Sequence, residues 1–197
     1  MKIKELNSIT RLYFGYEDIA RALKISPVSA KVSASRYVRL GLLIRLKRNI
    51  YVLRERWQAA DREERFALAN LGQAPSYISL LTAMDYHEVT TQVQRELIES
   101  VAVRRTKEIS LNGSVLRYTK VSRKLFFGFI RQQECFIATP EKAFLDAVYL
   151  MSFGRYALDL AAIEEEKLSR KEIRRMSRNY PPKTNTWLEK NGYLGSS

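Results

Sequence analysis

The stretch of residues 16–53 narrows the possible folds of this chain more than any other part. Residues 16–23 place three apolar side chains on one face of a short helix, because residues three and four apart share a face. These side chains are Ile19, Ala20 and Leu23. Ser26 suits the cap of a second helix, and Pro27 suits its first position, where the amide has no helical partner. We expect this second helix to end at Gly41.

A short basic hairpin is expected directly after the second helix. Residues 43–46 and 50–53 have strand-like apolar patterns, and the basic turn 47–49 separates them. Two helices followed by such a ribbon form a winged helix-turn-helix, in which a helix enters the major groove of DNA and the ribbon lies beside it. We therefore predict a winged helix-turn-helix domain over residues 1–72, which opens with a helix over residues 1–13.

The positive charge of the chain is concentrated where this motif lies. The net charge is +13. Residues 1–60 hold thirteen basic and four acidic side chains, whereas residues 61–197 hold twenty-one and seventeen. Basic charge gathered in one domain favours a polyanionic partner. The alternative is a basic protein whose charge serves only solubility.

Candidate DNA contacts fall on the outward face of the second helix. Turned at about 100° per residue, this helix packs Ala30, Ala34 and Tyr37 inward. The opposite face carries Val28, Ser29, Lys31, Val32, Ser35, Arg36 and Arg39. Outward valines can meet thymine methyl groups, and arginines can bind guanine through two hydrogen bonds. The alternative is that the valines pack against the wing or a partner subunit. In the hairpin, DNA contacts, chiefly to phosphates, are expected from Arg45, Lys47, Arg48 and Asn49.

A second domain with a different pattern follows. A charged helix over residues 55–71 ends at Gly72, and residues 73–76 have the composition of a linker. We predict an α+β domain over residues 76–197. Its strands are expected at residues 77–79, 100–103, 109–111, 115–119, 126–130 and 135–138, with a hairpin turn at Asn112-Gly113. Its helices are expected at residues 80–87, 139–151, 156–165 and 169–178.

Signs of an enzyme or of a membrane protein are weak in this sequence. His87 is the only histidine, so no His-based metal cluster is available. The single cysteine, Cys135, lies in an apolar run and suits a reducing cytosol. Glu141, Lys142 and Asp146 form the most enzyme-like group, but Glu141 is equally explained by the start of a helix. No apolar run approaches the ~20 residues that span a bilayer. We expect a cytoplasmic protein with no catalytic activity, cofactor or metal.

A basic stripe near the end of the chain is a second candidate for nucleic-acid contact. Five cations lie along one helical flank if the helix is continuous. They are Arg170, Lys171, Arg174, Arg175 and Arg178. The alternative is a solvated helix face, balanced in part by the acidic residues 164–166.

Three segments resemble one known family. The winged region, with Ser26-Pro27 and residues 49–52, resembles the N-terminal domain of AbiE-type (AbiEi) antitoxins, the repressor halves of type IV toxin–antitoxin operons in abortive infection. Residues 77–87 (YISLLTAMDYH) and 139–149 (TPEKAFLDAVY) are similar to two later segments of that family. The chain departs from the family at Asn49 and Glu88, where the family commonly has glycine.

The resemblance implies two roles for the chain. The N-terminal domain would bind inverted repeats in the double-stranded DNA of its own promoter and repress the operon. The C-terminal domain would oppose a co-encoded nucleotidyltransferase-like toxin, directly or indirectly. Two alternatives remain: an ordinary winged-helix regulator with a ligand-sensing or dimerising second domain, and a metal-dependent enzyme that processes nucleic acid.

Overall fold

The chain divides into two compact units, Met1–Gly72 and Gln73–Ser197. A computed structural model describes residues 3–111 and 113–195. Helices and strands are both present, so the fold is mixed α+β.

The N-terminal unit combines short helices with a two-stranded hairpin. Its elements are a 3-10 helix at Ile3–Ser8, α1 (Tyr16–Leu23), α2 (Pro27–Arg39), β1 (Leu43–Lys47), β2 (Ile50–Leu53), α3 (Arg54–Ala59) and α4 (Arg62–Gly72). Strands β1 and β2 pair in antiparallel fashion. The predicted pair of helices and the predicted hairpin are therefore confirmed.

The core of this unit forms between α1, α2 and the hairpin. The apolar face predicted for α1 is buried, as are Ala30, Ala34 and Tyr37 of α2. Leu6, Phe14, Leu43, Tyr51 and Leu53 complete the cluster. Since α2 buries its small residues against α1, its opposite face is left to solvent.

The predicted helix over residues 1–13 is largely wrong. Met1 and Lys2 lie outside the described residues, and helical structure stops at Ser8. Phe14 instead forms a bridge with Tyr51: the amide of Phe14 donates to the carbonyl of Tyr51 at 3.0 Å, and the reverse bond measures 2.9 Å. Pairing with the hairpin holds this part of the chain extended, which is a long-range interaction that helical periodicity cannot reveal.

The single helix predicted over residues 55–71 is two helices, α3 and α4. Ala60 between them has an extended backbone, with ψ of 135°. Asp61 Oδ1 accepts a hydrogen bond from the Glu64 amide at 2.8 Å, and Glu64 Oε2 accepts from the Asp61 amide at 3.1 Å. This reciprocal pair satisfies two helix-terminal amides and starts α4 as a new helix.

The C-terminal unit is built on a six-stranded mixed sheet. Its strands are β3 (Ser76–Ile78), β4 (Leu97–Ala102), β5 (Lys107–Leu111), β6 (Ser114–Lys120), β7 (Phe129–Gln132) and β8 (Cys135–Ala138). They are ordered β5-β6-β4-β3-β8-β7. The β4–β6 and β3–β8 pairs are parallel, and the remaining pairs are antiparallel.

Among the described residues of this unit four helices pack together, with α6 at their centre. They are α5 (Leu80–Tyr86), α6 (Pro140–Ser152), α7 (Arg170–Ser177) and α8 (Pro182–Lys190). Helix α6 contacts α5, α7 and α8, and most of its side chains are buried. Its start was predicted correctly: Thr139 Oγ1 accepts from the Lys142 amide, and Pro140 occupies the first turn.

Several predicted elements of this unit differ from the structure. Residues 156–165 contain two 3-10 turns, Leu160–Ala162 and Glu165–Lys167, in place of a helix. Ile163 is held in a bridge with Thr90, which requires an extended backbone. A 3-10 turn at Arg123–Leu125 precedes β7, so the strand begins three residues later than predicted. Helix α8 was not predicted.

Two turns of this unit involve residues that the sequence analysis named, Asn112 and Glu88. Strands β5 and β6 pair as a hairpin, with Leu111 opposite Ser114, although Asn112 itself lies outside the described residues. Glu88 follows α5 with φ of 58°, so it adopts the left-handed conformation that glycine favours. The departure from glycine at this position therefore leaves the turn intact.

Candidate nucleic-acid interface

Helix α2 starts at a capped first turn and buries the face that carries its alanines. The Ser26 side chain accepts a hydrogen bond from the Ser29 amide at 3.2 Å, as predicted. Ala30 and Ala34 are fully buried. Because alanine has no long side chain, α2 lies close to α1 and is fixed in orientation, with the opposite face turned outward.

The outward face of α2 is exposed as predicted. Val28 and Val32 are 71% and 67% exposed, so within this chain they are not packed against the wing. The remaining predicted contacts on this helix are also exposed: Ser29, Lys31, Ser35, Arg36 and Arg39. In the part of the chain that the structure describes, these three cations form no ion pair. Their charge is therefore available to a polyanion.

Two of these cations rest on aromatic rings. Lys31 Nζ lies 4.5 Å from the ring centre of Tyr16, and the Arg36 guanidinium lies 5.4 Å from that of Tyr37. Such contacts hold a long side chain in place while its charge stays in water. Tyr16 is the first residue of α1, so α1 helps to position a side chain of α2.

The hairpin carries the predicted basic tip. Arg45, Lys47 and Arg48 are exposed, and Arg45 Nε donates to the carbonyl of Lys47 at 3.4 Å. The strand register shifts between Arg45 and Lys47, which keeps Leu46 buried at 2% exposure while the basic residues point to solvent. A bulge of this kind re-aims side chains at the end of a ribbon.

Asn49 is used differently from its basic neighbours. Its φ is 58°, the left-handed conformation that asparagine tolerates better than most residues. Its side chain turns to the start of α1: Oδ1 accepts from the Tyr16 amide at 2.7 Å, and Nδ2 donates to Glu17 Oε2 at 2.9 Å. Asn49 was predicted as a DNA contact, yet both polar atoms of its side chain are occupied within the unit.

The charges between α1 and the wing influence one another. The hydrogen bond from Asn49 lowers the pKa of Glu17. Side-chain hydrogen bonding with Glu17 raises the pKa of Tyr16, and the charge of Arg48 acts in the opposite direction. The Glu17 carboxylate is thus held ionised at the point where the wing tip approaches α1.

The basic stripe on α7 is partly neutralised. Arg170 donates to the carbonyl of Gly192 and lies 3.4 Å from Glu165 Oε2, and Arg175 pairs with Glu172 at 2.7 Å. The other members of the predicted stripe, Lys171, Arg174 and Arg178, are exposed. Helix α7 ends at Ser177, so Arg178 lies just beyond it.

A second basic cluster was not predicted, and we call it the strand-end cluster. It lies at the carboxyl ends of the parallel strands β4 and β6, where Ala102 is opposite Lys120. Its members are Arg104, Arg105, Lys107, Lys120, Arg123, Lys124 and Arg155. Arg155 Nη2 donates to the carbonyl of Lys120 at 3.5 Å. Over residues 3–111 and 113–195, Arg104, Arg105, Lys120, Arg123, Lys124 and Arg155 form no ion pair.

The sequence shows that two segments of this cluster are basic, but it does not show that they lie side by side. Residues 103–107 and 119–126 contain no acidic side chain. These segments lie about a dozen residues apart in the chain, and only the parallel pairing of β4 with β6 brings them to the same edge of the sheet.

The most enzyme-like group of the sequence, Glu141, Lys142 and Asp146, does not form an open site. Lys142 and Asp146 are fully buried and lie 2.5 Å apart at Nζ and Oδ1. Asp146 accepts three further hydrogen bonds, from Tyr180 at 2.9 Å, Tyr77 at 2.9 Å and Ser79 at 2.8 Å. We call Lys142, Asp146 and these three partners the Lys142–Asp146 network.

The ammonium group at the centre of this network has all of its hydrogen-bond acceptors inside the fold. Lys142 Nζ also donates to the hydroxyl of Tyr180 at 2.6 Å and to the carbonyl of Leu125 at 2.9 Å, so its three protons are all used. Gly128 closes over the lysine stem: its φ is 73°, and a Cβ there would lie 3.0 Å from the Lys142 side chain. Burial lowers the pKa of Lys142, and the Asp146 carboxylate opposes this shift.

The other candidate catalytic or metal-binding residues have structural partners. Glu141 Oε1 accepts from the Ser169 amide at 3.1 Å, and His87 Nε2 lies 2.8 Å from the carbonyl oxygen of Ala138. Cys135 is buried, as predicted. Among the described residues there is no group of three or more His, Cys, Asp or Glu side chains that could hold a metal ion. Within those residues no helix is long and apolar enough to cross a membrane.

Comparisons with known proteins bear on the family of the N-terminal segment and on the fold. A search of curated proteins gives no match. A crystal structure of the RV2827C protein from Mycobacterium tuberculosis is similar with a TM-score of 0.59 and 10% identity, over 98% of this chain and 74% of that one. At this identity the similarity concerns the fold alone. Residues 1–54 match the family described as transcriptional regulator, AbiEi antitoxin. The N-terminal segment of this chain, residues 1–54, is thus similar to the AbiEi antitoxin family of transcriptional regulators.

Proposed function

We propose that this protein is an operator-binding repressor of its own toxin–antitoxin operon, with the N-terminal unit as its DNA-reading part. The observation that carries this proposal is the outward face of α2. Two exposed valines stand there beside Lys31, Arg36 and Arg39, none of which is ion-paired within the described residues. Because they are four residues apart, Val28 and Val32 form one exposed apolar patch on the helix, and a major groove offers thymine methyl groups as apolar partners for such a patch.

Each element of the interface has a distinct task in this proposal. Helix α2 lies in the major groove, where Arg36 and Arg39 bind base edges. Val28 and Val32 contact thymine methyl groups. Lys31, Ser29 and Ser35 flank these contacts, and Arg45, Lys47 and Arg48 neutralise phosphates. Asn49 positions the wing and leaves the phosphate contacts to its neighbours.

The C-terminal unit acts as the antitoxin part in this proposal. The support is the match of residues 1–54 to a family whose description includes antitoxins as well as regulators. The partner proposed is a nucleotidyltransferase-like toxin, opposed directly or indirectly in the cytoplasm. Catalysis by this unit has little support, because the polar atoms of Lys142 and Asp146 are already bonded within the fold.

A second nucleic-acid contact is better supported at the strand-end cluster than on α7. On α7, Arg170 and Arg175 each pair with a glutamate. In the strand-end cluster no ion pair offsets Arg123 or Lys124 within the described part of the chain. Uncompensated cations release counterions from the polyanion that binds them, so this cluster would raise affinity without reading sequence.

An anisotropy titration tests the repressor proposal. The purified chain is titrated against the duplex upstream of its own gene and against a scrambled duplex, at two salt concentrations. The Arg36→Ala, Arg39→Ala double variant should lose about tenfold or more of its affinity for the native duplex, because a bidentate base contact is worth ~1–3 kcal/mol. Its affinity for the scrambled duplex should fall much less.

A charge-matched control variant separates base reading from a general loss of charge. Arg131→Ala with Lys190→Ala removes the same charge from exposed sites outside the interface. This control should keep the preference for the native duplex. Equal, steeply salt-dependent binding of the wild type to both duplexes would contradict the repressor proposal. Phosphate contacts alone would explain such binding.

A further inference from the structure

We propose that Asn49 is a positioning residue that locks the wing to α1 and, through Tyr16, orients Lys31 on α2. The proposal rests on the proposed function, since it states how the DNA-reading surface is preorganised. It concerns no contact of Asn49 itself with DNA. It assigns to the amide side chain the task of fixing three elements of the interface with respect to one another.

The first step is the pair of hydrogen bonds at the side chain of Asn49. Oδ1 accepts from the Tyr16 amide, one of the helix-terminal amides of α1 that have no partner within the helix. Nδ2 donates to the Glu17 carboxylate. The two bonds span 33 and 32 residues of sequence, so they tie the wing turn to the start of α1.

The second step leads from α1 to α2. Tyr16 is held at its backbone by Asn49, and its ring lies beneath Lys31 Nζ at 4.5 Å. A displacement of the Tyr16 backbone therefore moves the surface on which Lys31 rests. Arg48, next to Asn49 in the wing, is near enough to Tyr16 to influence its hydroxyl electrostatically. One amide side chain thus connects a candidate phosphate contact with the recognition helix.

The third step is the space around this contact. A Cβ added to Gly15 would lie 2.7 Å from Glu17 Oε2 and 3.1–3.2 Å from the amide atoms of Asn49. The chain therefore leaves room at residue 15 for the Asn49 side chain to reach the helix start. Gly15 also donates its amide to Asp18 Oδ2 at 2.9 Å. The Asp18 and Asn49 side chains together satisfy neighbouring amides at the start of α1.

Asparagine is the residue that fits both requirements at position 49. Glycine would adopt the left-handed turn without strain but would leave the Tyr16 amide and the Glu17 carboxylate without this partner. Aspartate would accept from the Tyr16 amide but would place a second carboxylate against Glu17. A wing fixed in this way loses less conformational freedom on binding, which favours the specific complex.

The test compares three variants in the anisotropy titration. Asn49→Gly keeps the turn and removes both bonds, and we expect about five- to twentyfold weaker binding to the native duplex, because the wing then has to be ordered on binding. Binding to the scrambled duplex should change by less than about twofold, since the phosphate-contacting cations are untouched. Asn49→Asp should bind the native duplex more weakly still.

The decisive experiment is a double variant that reverses the direction of the hydrogen bond between residues 17 and 49. In the Asn49→Asp, Glu17→Gln double variant, the new glutamine amide can donate to the new aspartate, so the bridge re-forms with its polarity reversed. We expect native-duplex affinity within about twofold to threefold of the wild type. Failure of this rescue, or a wild-type affinity in Asn49→Gly, overturns the proposal.

Amide hydrogen exchange gives a readout that does not depend on DNA. The Tyr16 amide should be protected in the wild type and should exchange at least about tenfold faster in Asn49→Gly, because its acceptor is gone. Equal exchange rates would overturn the positioning role. A wild type that binds both duplexes equally would instead overturn the repressor proposal, and the exchange experiment would still decide the role of Asn49.

Discussion

The two units use their lysines in opposite ways. Lys31 of the N-terminal unit is exposed and rests on an aromatic ring, with its charge open to a partner. Lys142 of the C-terminal unit is fully buried and donates its three protons to three acceptors. The charge of one lysine is thus exposed to solvent, whereas that of the other is part of an internal hydrogen-bond network. Sequence alone does not separate the two uses, since both lysines lie near the start of helices that begin with proline.

Breaking the buried network should have the largest effect on stability. Asp146→Ala leaves the Lys142 ammonium buried without its counterion, so we expect the free energy of unfolding of the C-terminal unit to fall by about 3–5 kcal/mol. Trp187 lies in this unit and Trp57 in the other, so the fluorescence of variants that keep only one of the two tryptophans reports each unit separately. The Lys142→Met, Asp146→Leu double variant should lose less than the sum of the two single variants. Additive losses would contradict a coupled pair.

Removing exposed cations should change DNA affinity and its salt dependence and leave stability alone. Lys47→Ala with Arg48→Ala should lower the slope of log K against log salt by about 1 for each phosphate that is no longer neutralised, for both duplexes alike. Arg123→Ala with Lys124→Ala should do the same if the strand-end cluster binds nucleic acid. The matched pair on α7, Arg170→Ala with Arg175→Ala, should leave the slope unchanged, because both of these charges are paired with glutamates. An effect of the α7 pair larger than that of the strand-end pair would reverse our ranking of the two surfaces.

Helix caps allow a matched comparison of the two units. Ser26 caps α2 and Thr139 caps α6, and each side chain accepts from an amide three residues later. Replacement of either residue by alanine should lower the free energy of unfolding of its own unit by about 1 kcal/mol. Ser26→Ala should also weaken operator binding, since α2 is the proposed recognition helix, whereas Thr139→Ala should not. Thermal unfolding followed by fluorescence in variants that keep only Trp57 or only Trp187 provides the stability measurement.

The smallest expected effect is a difference in pH dependence. Burial raises the pKa of Glu99, which contacts Tyr156 at 2.8 Å, so its contribution to stability is present below the unfolded pKa of 4.5 and is lost as pH rises through the folded value. The hydrogen bond from Asn49 lowers the pKa of Glu17, so its contribution is present above 4.5 and is lost as pH falls through the folded value.

Two glutamine variants isolate these carboxyl groups. Glu99→Gln should flatten the decline in stability of the C-terminal unit as pH rises above about 4.5, the pKa of this side chain in the unfolded chain. Glu17→Gln should flatten the decline of the N-terminal unit below that pH. Denaturant unfolding from acidic to neutral pH measures both effects. If either variant keeps the wild-type profile, another group sets the pH dependence of that unit.

Local sequence patterns predicted the N-terminal unit better than the C-terminal one. Helices α1 and α2 and the hairpin depend on apolar spacing, on Ser26-Pro27 and on a turn residue, all within residues 16–53. The candidate interface followed from the same spacing, since the inward alanines fix which side chains point outward. The extended stretch before α1 was missed because Phe14 pairs with Tyr51, which is distant in the chain. In the C-terminal unit, residues 156–165 and α8 were missed because their conformation depends on bridges and packing outside each segment.

The sequence by itself determined the pair of helices, the basic hairpin, the outward face of α2 and the family resemblance, because each follows from neighbours in the chain. Only the tertiary structure decided how the polar residues of the C-terminal unit are used. Lys142 and Asp146 look the same in sequence whether they are exposed or buried, and the sheet and Tyr180 enclose them. It also decided that Asn49 faces α1 and that Arg104 and Arg123 share one edge of the sheet. These outcomes depend on contacts between distant segments, and residue spacing records only local ones.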